Sequence, residues 1–243
     1  MGRIIKASLA GPDDPIFRTG LKFSPVRNGP LPTGRSNKSP GMQRNSSNES
    51  DVVRIARALD YAARKHASQR RKGEAQEPYI NHLAEVALLV AEASGGSDAD
   101  LVIAAYLHDT IEDQGVRSEE LAAAFGADVV GLVTEVTDDK SLPKEKRKEL
   151  QIAHAAQASP RAKMLKIADK VSNLRSILAS PPADWSLARK QAYFDWAARV
   201  VANCRGVSPW LETRFDKAFS CRDELASAGA GSSGEPGQEE NDS

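Results

Sequence analysis

Between residues 51 and 226 apolar side chains recur every three or four positions, the period of helices that bury one face. VVRIARALDYAARKHA sets Val53, Ala56, Leu59, Tyr61 and Ala63 among arginines and aspartates. Pro78 precedes YINHLAEVALLVAEA, a run that stops at Gly95-Gly96. Asp98 or Asp100 is placed to cap a helix over DLVIAAYLHDTIED, and Ser118-Glu119-Glu120 starts a short one ending at Phe125-Gly126. Further helices are predicted from Asp128, after Pro143, at Ser159-Pro160, from Asp184 or Ser186 to about Cys204, and at Ser208-Pro209. Alternating strand patterns do not occur. The pattern therefore predicts a single all-α domain, a bundle of about eight to ten helices.

The flanks differ in kind. Residues 1–50 are rich in Pro, Gly, Ser, Asn and Arg without periodicity, and AGAGSSGEPGQEENDS closes the chain. Such segments bury too little apolar surface to offset the entropy of ordering, so both are expected to be disordered, leaving 51–226 as the folded domain and 227–243 as an acidic tail. The leader holds eight basic and three acidic residues and the tail four acidic ones, within a chain whose net charge is zero. That balance gives no global field toward nucleic acid or a membrane. Two cysteines, Cys204 and Cys221, are too few for a disulfide framework. The N-terminus lacks a secretory apolar core, and no apolar run nears the roughly 20 residues that span a bilayer. The expected location is cytoplasmic.

One stretch calls for chemistry. HDTIED places His108, Asp109, Glu112 and Asp113 within one helical turn and a half. Carboxylates buried together without compensation are strongly disfavoured, and a divalent cation would provide it. His82, near the start of its amphipathic helix, and Asp169, in KIADKVSNL, have the same character. Two imidazoles and two carboxylates without thiolate suit manganese, iron or zinc. Glu112 and Asp113 would lie just beyond, placed to orient or deprotonate a water. The plainer alternatives are a solvated His-Asp pair, a packed His82, and an Asp169 paired with Lys166 or Lys170.

These residues sit in a wider pattern. RRKGEAQEPYINH, AAYLHDTIED, FGADVVGLVTEVTDDKSLPKEKRK, SPRAKMLKIADKVSNLR and DWSLARKQAYFDWAARVV follow one another across nearly all of 51–226. In that order they resemble the HD-domain small alarmone hydrolases, relatives of the hydrolase half of RelA/SpoT proteins, and among these the stand-alone animal type. The resemblance implies one manganese ion per chain, held by His82, His108, Asp109 and Asp169, with Glu112 and Asp113 supporting attack by water. It implies hydrolysis of (p)ppGpp at the 3′ pyrophosphate to GDP or GTP. It also implies that Arg71 and Lys72 meet the guanine base and phosphates, Asn173 the ribose, and Lys144, Arg189 and Tyr193 the phosphates.

Lys146, Arg147 and Lys148 are expected in solvent, Trp185, Trp196 and Trp210 in packing, and Tyr79 either in the core or on the cavity wall. Leu83 stands where the family usually has proline, and Tyr106 where leucine is common; neither is a ligand position. The chain ends too soon for a synthetase domain, so hydrolysis without synthesis is expected, with a homodimer left open. Two rival readings remain: removal of the 2′ phosphate from NADPH or another nucleotide, and an alarmone-binding module without turnover.

Overall fold

The computed structural model describes residues 49–229; the expected disorder of the leader and of most of the tail lies outside the described residues. Ten α-helices occur among them: α1 Asp51–Lys65, α2 Ile80–Ala93, α3 Ala99–Leu107, α4 Thr110–Gln114, α5 Ser118–Phe125, α6 Ala127–Val136, α7 Lys144–Gln157, α8 Pro160–Ala179, α9 Leu187–Ala202 and α10 Pro209–Ser220. A final 3-10 segment, Cys221–Gly229, follows. The described residues contain no strand, only one isolated bridge between Arg70 and Pro78. The predicted all-α bundle is what forms.

The start signals act as their chemistry requires. Asp98 accepts from the Leu101 amide at 3.0 Å, Ser159 from Ala162 at 3.2 Å, Ser186 from Arg189 at 3.2 Å and Ser208 from Leu211 at 3.3 Å. Each side-chain oxygen satisfies an amide that the helix itself leaves unpaired. Of the alternatives left open, Asp98 and Ser186 are the caps used.

α3 and α8 organise the core. α3 is apolar nearly all round, ADLVIAAYL, and such a helix belongs inside. It packs against α1, α2, α6 and α8, and burying each of Leu101, Ile103 and Leu107 contributes about 1.5–3 kcal/mol. α8 reaches α2, α3, α6, α9 and α10, carrying Leu165, Ile167, Val171 and Leu174 into the same core. α2 closes this side with Leu83, Val86 and Val90.

One expectation needs correction. DLVIAAYLHDTIED is not one helix: α3 ends at Leu107 and α4 begins at Thr110. The cause is local. The Thr110 hydroxyl donates to the Leu107 carbonyl at 2.6 Å, and His108 Nδ1 lies 2.8 Å from the Ala105 carbonyl. Side chains thus compete for carbonyls that a continuing helix would use.

Candidate metal centre and active site

The break at His108-Asp109 turns two side chains toward α2 and α8. His108 Nε2 lies 3.2 Å from Asp109 Oδ2 and 3.9 Å from Asp169 Oδ1. From α2, His82 Nε2 lies 3.3 Å from Asp169 Oδ1 and 3.8 Å from Asp109 Oδ2. The two imidazoles meet edge to face with ring centres 5.3 Å apart. One ligand atom each from His82, His108 and Asp109 fall within 4.8 Å of one another. Three segments separated by up to 87 positions (82 to 169) therefore converge.

Both rings have their far nitrogen occupied. His108 Nδ1 bonds the Ala105 carbonyl, and His82 Nδ1 lies 2.9 Å from Ser172 Oγ. Both residues are nearly closed to solvent, His82 at 2% exposed and His108 at 6%. His108 Nε2 is buried without a hydrogen-bond partner. An unsatisfied ring nitrogen facing two half-buried carboxylates is what a metal-binding imidazole presents. A cavity of about 50 Å³ lined by His108, Asp109, Glu112 and Asp169 adjoins it, room for an ion or a water. The donor set fits a divalent cation with nitrogen and oxygen ligands.

The electrostatics agree. Burial disfavours the charged form of His108, but the Asp109 carboxylate beside it prevails and pushes its pKa up to about 9. Asp109 likewise overcomes burial and is held below the carboxylate range by His108. His82, for which burial dominates, is shifted down. Asp169, despite burial, is held well below its usual range by Lys170, whose Nζ lies 2.8 Å away. That pairing was one of the plainer alternatives, and it coexists with Asp169 Oδ1 facing the histidines.

Glu112 and Asp113 are neighbours within α4, about 100° apart around its axis, and they meet different partners. Glu112 Oε2 accepts from the Asp138 amide at 3.2 Å, and Oε1 lies 3.6 Å from Arg147 Nη1. Burial, then the nearby Asp138 and Asp109 charges, push its pKa up to about 7. Asp113 instead accepts from Gln69 Nε2 at 2.7 Å and pairs with Lys140. A carboxyl that ordinarily titrates at 4.5 keeps its proton here to about 7, so the folded protein binds more protons than the unfolded chain between these values and stability falls as pH rises. Glu112→Gln is therefore expected to raise the melting temperature of metal-free protein at pH 8 and leave it nearly unchanged at about pH 4, below both values, as calorimetry at the two pH values would check.

Two cavities flank the centre and share Lys72, Trp185 and Tyr193. The larger, about 430 Å³, is lined by Arg71, Lys72, Tyr79, Asp113, Lys140 and Asn173 among others. The smaller, about 200 Å³, is lined by Glu112, Lys144, Arg147, Lys148 and Arg189. Arg71 Nη1 donates to Asn173 Oδ1 at 3.2 Å, and Asn173 Nδ2 donates to Asp169 Oδ1 at 2.6 Å. Tyr193 is pushed up to about 12 chiefly by burial. Lys144 is shifted down by desolvation and then by its neighbours Lys148 and Arg189, the mark of crowded cations.

Several lining residues were not foreseen. Arg147 and Lys148, expected in solvent, face the smaller cavity because the i, i+3, i+4, i+7 face of α7 from Lys144 to Gln151 turns inward. That spacing was the signal available. Trp185, expected in packing, lines both cavities, with the Arg189 guanidinium 4.4 Å over its ring. Tyr79 donates to Asp109 Oδ2 at 2.6 Å and stacks on buried His66 at 5.2 Å, so it belongs to the centre. Lys140 and Gln69 carried no signal in isolation.

An all-helical bundle that sets a His-Asp pair against a second histidine and a distant aspartate defines a metal-dependent HD-domain phosphohydrolase, and residues 58–194 match the HD domain family. A fly protein, guanosine-3′,5′-bis(diphosphate) 3′-pyrophosphohydrolase MESH1 of Drosophila melanogaster, is 44% identical over 170 residues, which are 70% of this chain and 95% of that one. The Homo sapiens protein of the same name is 45% identical over 173 residues, 71% of this chain and 97% of its own. A solved structure described as a metazoan ortholog of SpoT that hydrolyzes ppGpp superposes with a TM-score of 0.68 at 43% identity, covering 73% of this chain and 98% of that one. The chain belongs to the HD-domain family and, within it, to the group formed by these stand-alone pyrophosphohydrolases. Among the described residues no helix is long and apolar enough to cross a membrane.

Proposed function

We propose that the chain hydrolyses guanosine 3′,5′-bis(diphosphate) and its pentaphosphate form, giving GDP or GTP and pyrophosphate. The observation that carries this is the convergence of His82, His108 and Asp109 within 4.8 Å beside a cation-lined cavity, in a chain 44% identical to an enzyme so named. His82, His108, Asp109 and Asp169 would hold one manganese ion. Bound there, it supplies Lewis acidity that polarises a phosphate and lowers the pKa of water.

The chain's own residues do the rest. Water adds its oxygen to the phosphorus joined to the ribose 3′ oxygen. That P–O bond breaks, the 3′ oxygen takes up a proton, and pyrophosphate leaves. Glu112, with a pKa near 7, is suited to accept the water's proton. Asp113 holds Lys140 at the mouth of the larger cavity. Arg71 and Lys72 present a planar guanidinium and an ammonium to the base and the nearby phosphates, and Asn173 meets the ribose. Lys144, Arg189 and Tyr193 receive phosphate oxygens in the smaller cavity.

Metal-stripped protein incubated with ppGpp should be inert, and added manganese should restore release of GDP and pyrophosphate. Bound manganese without turnover, or turnover of NADPH alone in a parallel assay, would overturn the reading.

The segment that carries Arg71 and Lys72 is pinned at Gly73. A Cβ there would run into the Ser180 carbonyl and side chain at the end of α8, where Ser180 Oγ also accepts from the Ala75 amide at 2.8 Å. Gly73→Ala should therefore push the segment off α8. Misplacement of positioning groups by about 1 Å lowers rates by roughly 100-fold, so kcat/KM should fall by up to that factor while the fold persists, measured by steady-state kinetics beside circular dichroism.

A further inference from the structure

Behind His82 a chain of hydrogen bonds runs outward to the surface. His82 Nδ1 lies 2.9 Å from Ser172 Oγ, Ser172 Oγ lies 2.6 Å from Glu85 Oε2, and Glu85 Oε1 lies 2.9 Å from Arg175 Nη1. α2 supplies His82 and Glu85 three residues apart, and α8 supplies Asp169, Ser172 and Arg175 at the same spacing. Such spacing stacks side chains on one helix face. Ser172 is 1% exposed, and its hydroxyl meets both His82 and Glu85.

The direction of each bond follows from what each group can do. An ionised carboxylate only accepts, so the Ser172 hydroxyl must donate its one proton to Glu85. The hydroxyl then has only lone pairs left for His82, and His82 Nδ1 must be the nitrogen that carries hydrogen. The lone pair of a neutral ring is thereby confined to Nε2, the nitrogen 3.3 Å from Asp169 and 3.8 Å from Asp109. Without Glu85 the hydroxyl is free to turn and donate to Nδ1, which would put the hydrogen on Nε2 and remove the ligand lone pair.

We propose that Ser172 and Glu85 are positioning residues that clamp His82 in the Nδ1–H tautomer and so set the affinity of the centre for its cation. The proposal rests on the metal-binding reading above. It assigns Arg175 a lesser part, holding Glu85 in place from the rim of the fold.

Manganese titrations of the metal-stripped full chain, followed by the loss of the free-ion electron paramagnetic resonance signal, test it. Ser172→Ala should weaken binding about 10- to 100-fold, the range for loss of a group that supports a metal ligand. Glu85→Ala should weaken it in the same direction, whereas Glu85→Gln, whose amide oxygen still accepts from Ser172, should stay close to wild type. Glu85 is only partly buried, so its variants keep the test open if Ser172→Ala unfolds. Nitrogen-15 spectra of metal-free protein should show His82 as Nδ1–H in wild type and Glu85→Gln, and mixed or reversed in Glu85→Ala; a merely structural role would not move the tautomer. Unchanged manganese affinity in both Ser172→Ala and Glu85→Ala, with His82→Ala losing the ion, overturns the clamp alone. Wild-type protein that takes up no manganese, or His82→Ala protein that binds as tightly, overturns the metal reading and the clamp with it.

Discussion

Asp109→Ala should abolish metal binding and turnover together. Asp109 Oδ2 is the oxygen nearest His108 Nε2, at 3.2 Å, and it also receives the Tyr79 hydroxyl at 2.6 Å. Its removal takes away the negative charge that offsets a cation and leaves two buried imidazoles facing one another. Loss of a supporting group around a metal lowers affinity by roughly 10- to 100-fold, and loss of a ligand should exceed that. Manganese retained after desalting, counted by elemental analysis, is the direct measure. Full manganese-dependent activity in Asp109→Ala protein would show that the centre lies elsewhere.

Glu112→Ala should do something different: the metal stays and the chemistry stops. Glu112 lies outside the three-residue cluster and bonds the Asp138 amide, so the ligands keep their places. General base catalysis contributes about 100- to 10,000-fold, and kcat should fall within that range. The wild-type rate should fall on the acid side, at or below pH 7, because Glu112 accepts a proton only when ionised and a nearby cation favours ionisation. That limb should vanish in the variant. A variant with wild-type kcat and the same acid limb would remove Glu112 from the reaction.

How far the sequence revealed this depends on where the determining forces lie. α2 and α8 were legible because Pro78 and Ser159-Pro160 mark their starts in local chemistry. His82, His108, Asp109 and Asp169 were legible as candidates because two imidazoles and two carboxylates without thiolates suit one kind of ion. The break between α3 and α4 was hidden: the apolar period runs through it, and it depends on His108 and Thr110 competing for backbone carbonyls. The split of Glu112 from Asp113 belongs to adjacent positions on one helix, about 100° apart, and was open to the sequence. Arg147 and Lys148 were misread because α7 buries only Ala155, so its apolar pattern gives little hint of which face turns inward.

The centre draws on α2, the α3–α4 turn and α8, pieces that nothing in the covalent chain holds close. An ion that binds them only when they are together stabilises the folded state by RT ln(1 + [ion]/Kd), about 2.7 kcal/mol at a hundredfold excess over Kd. The amount of enzyme that survives a cell's proteases thus becomes tied to the supply of the metal, and scarcity would remove the protein as well as silence it.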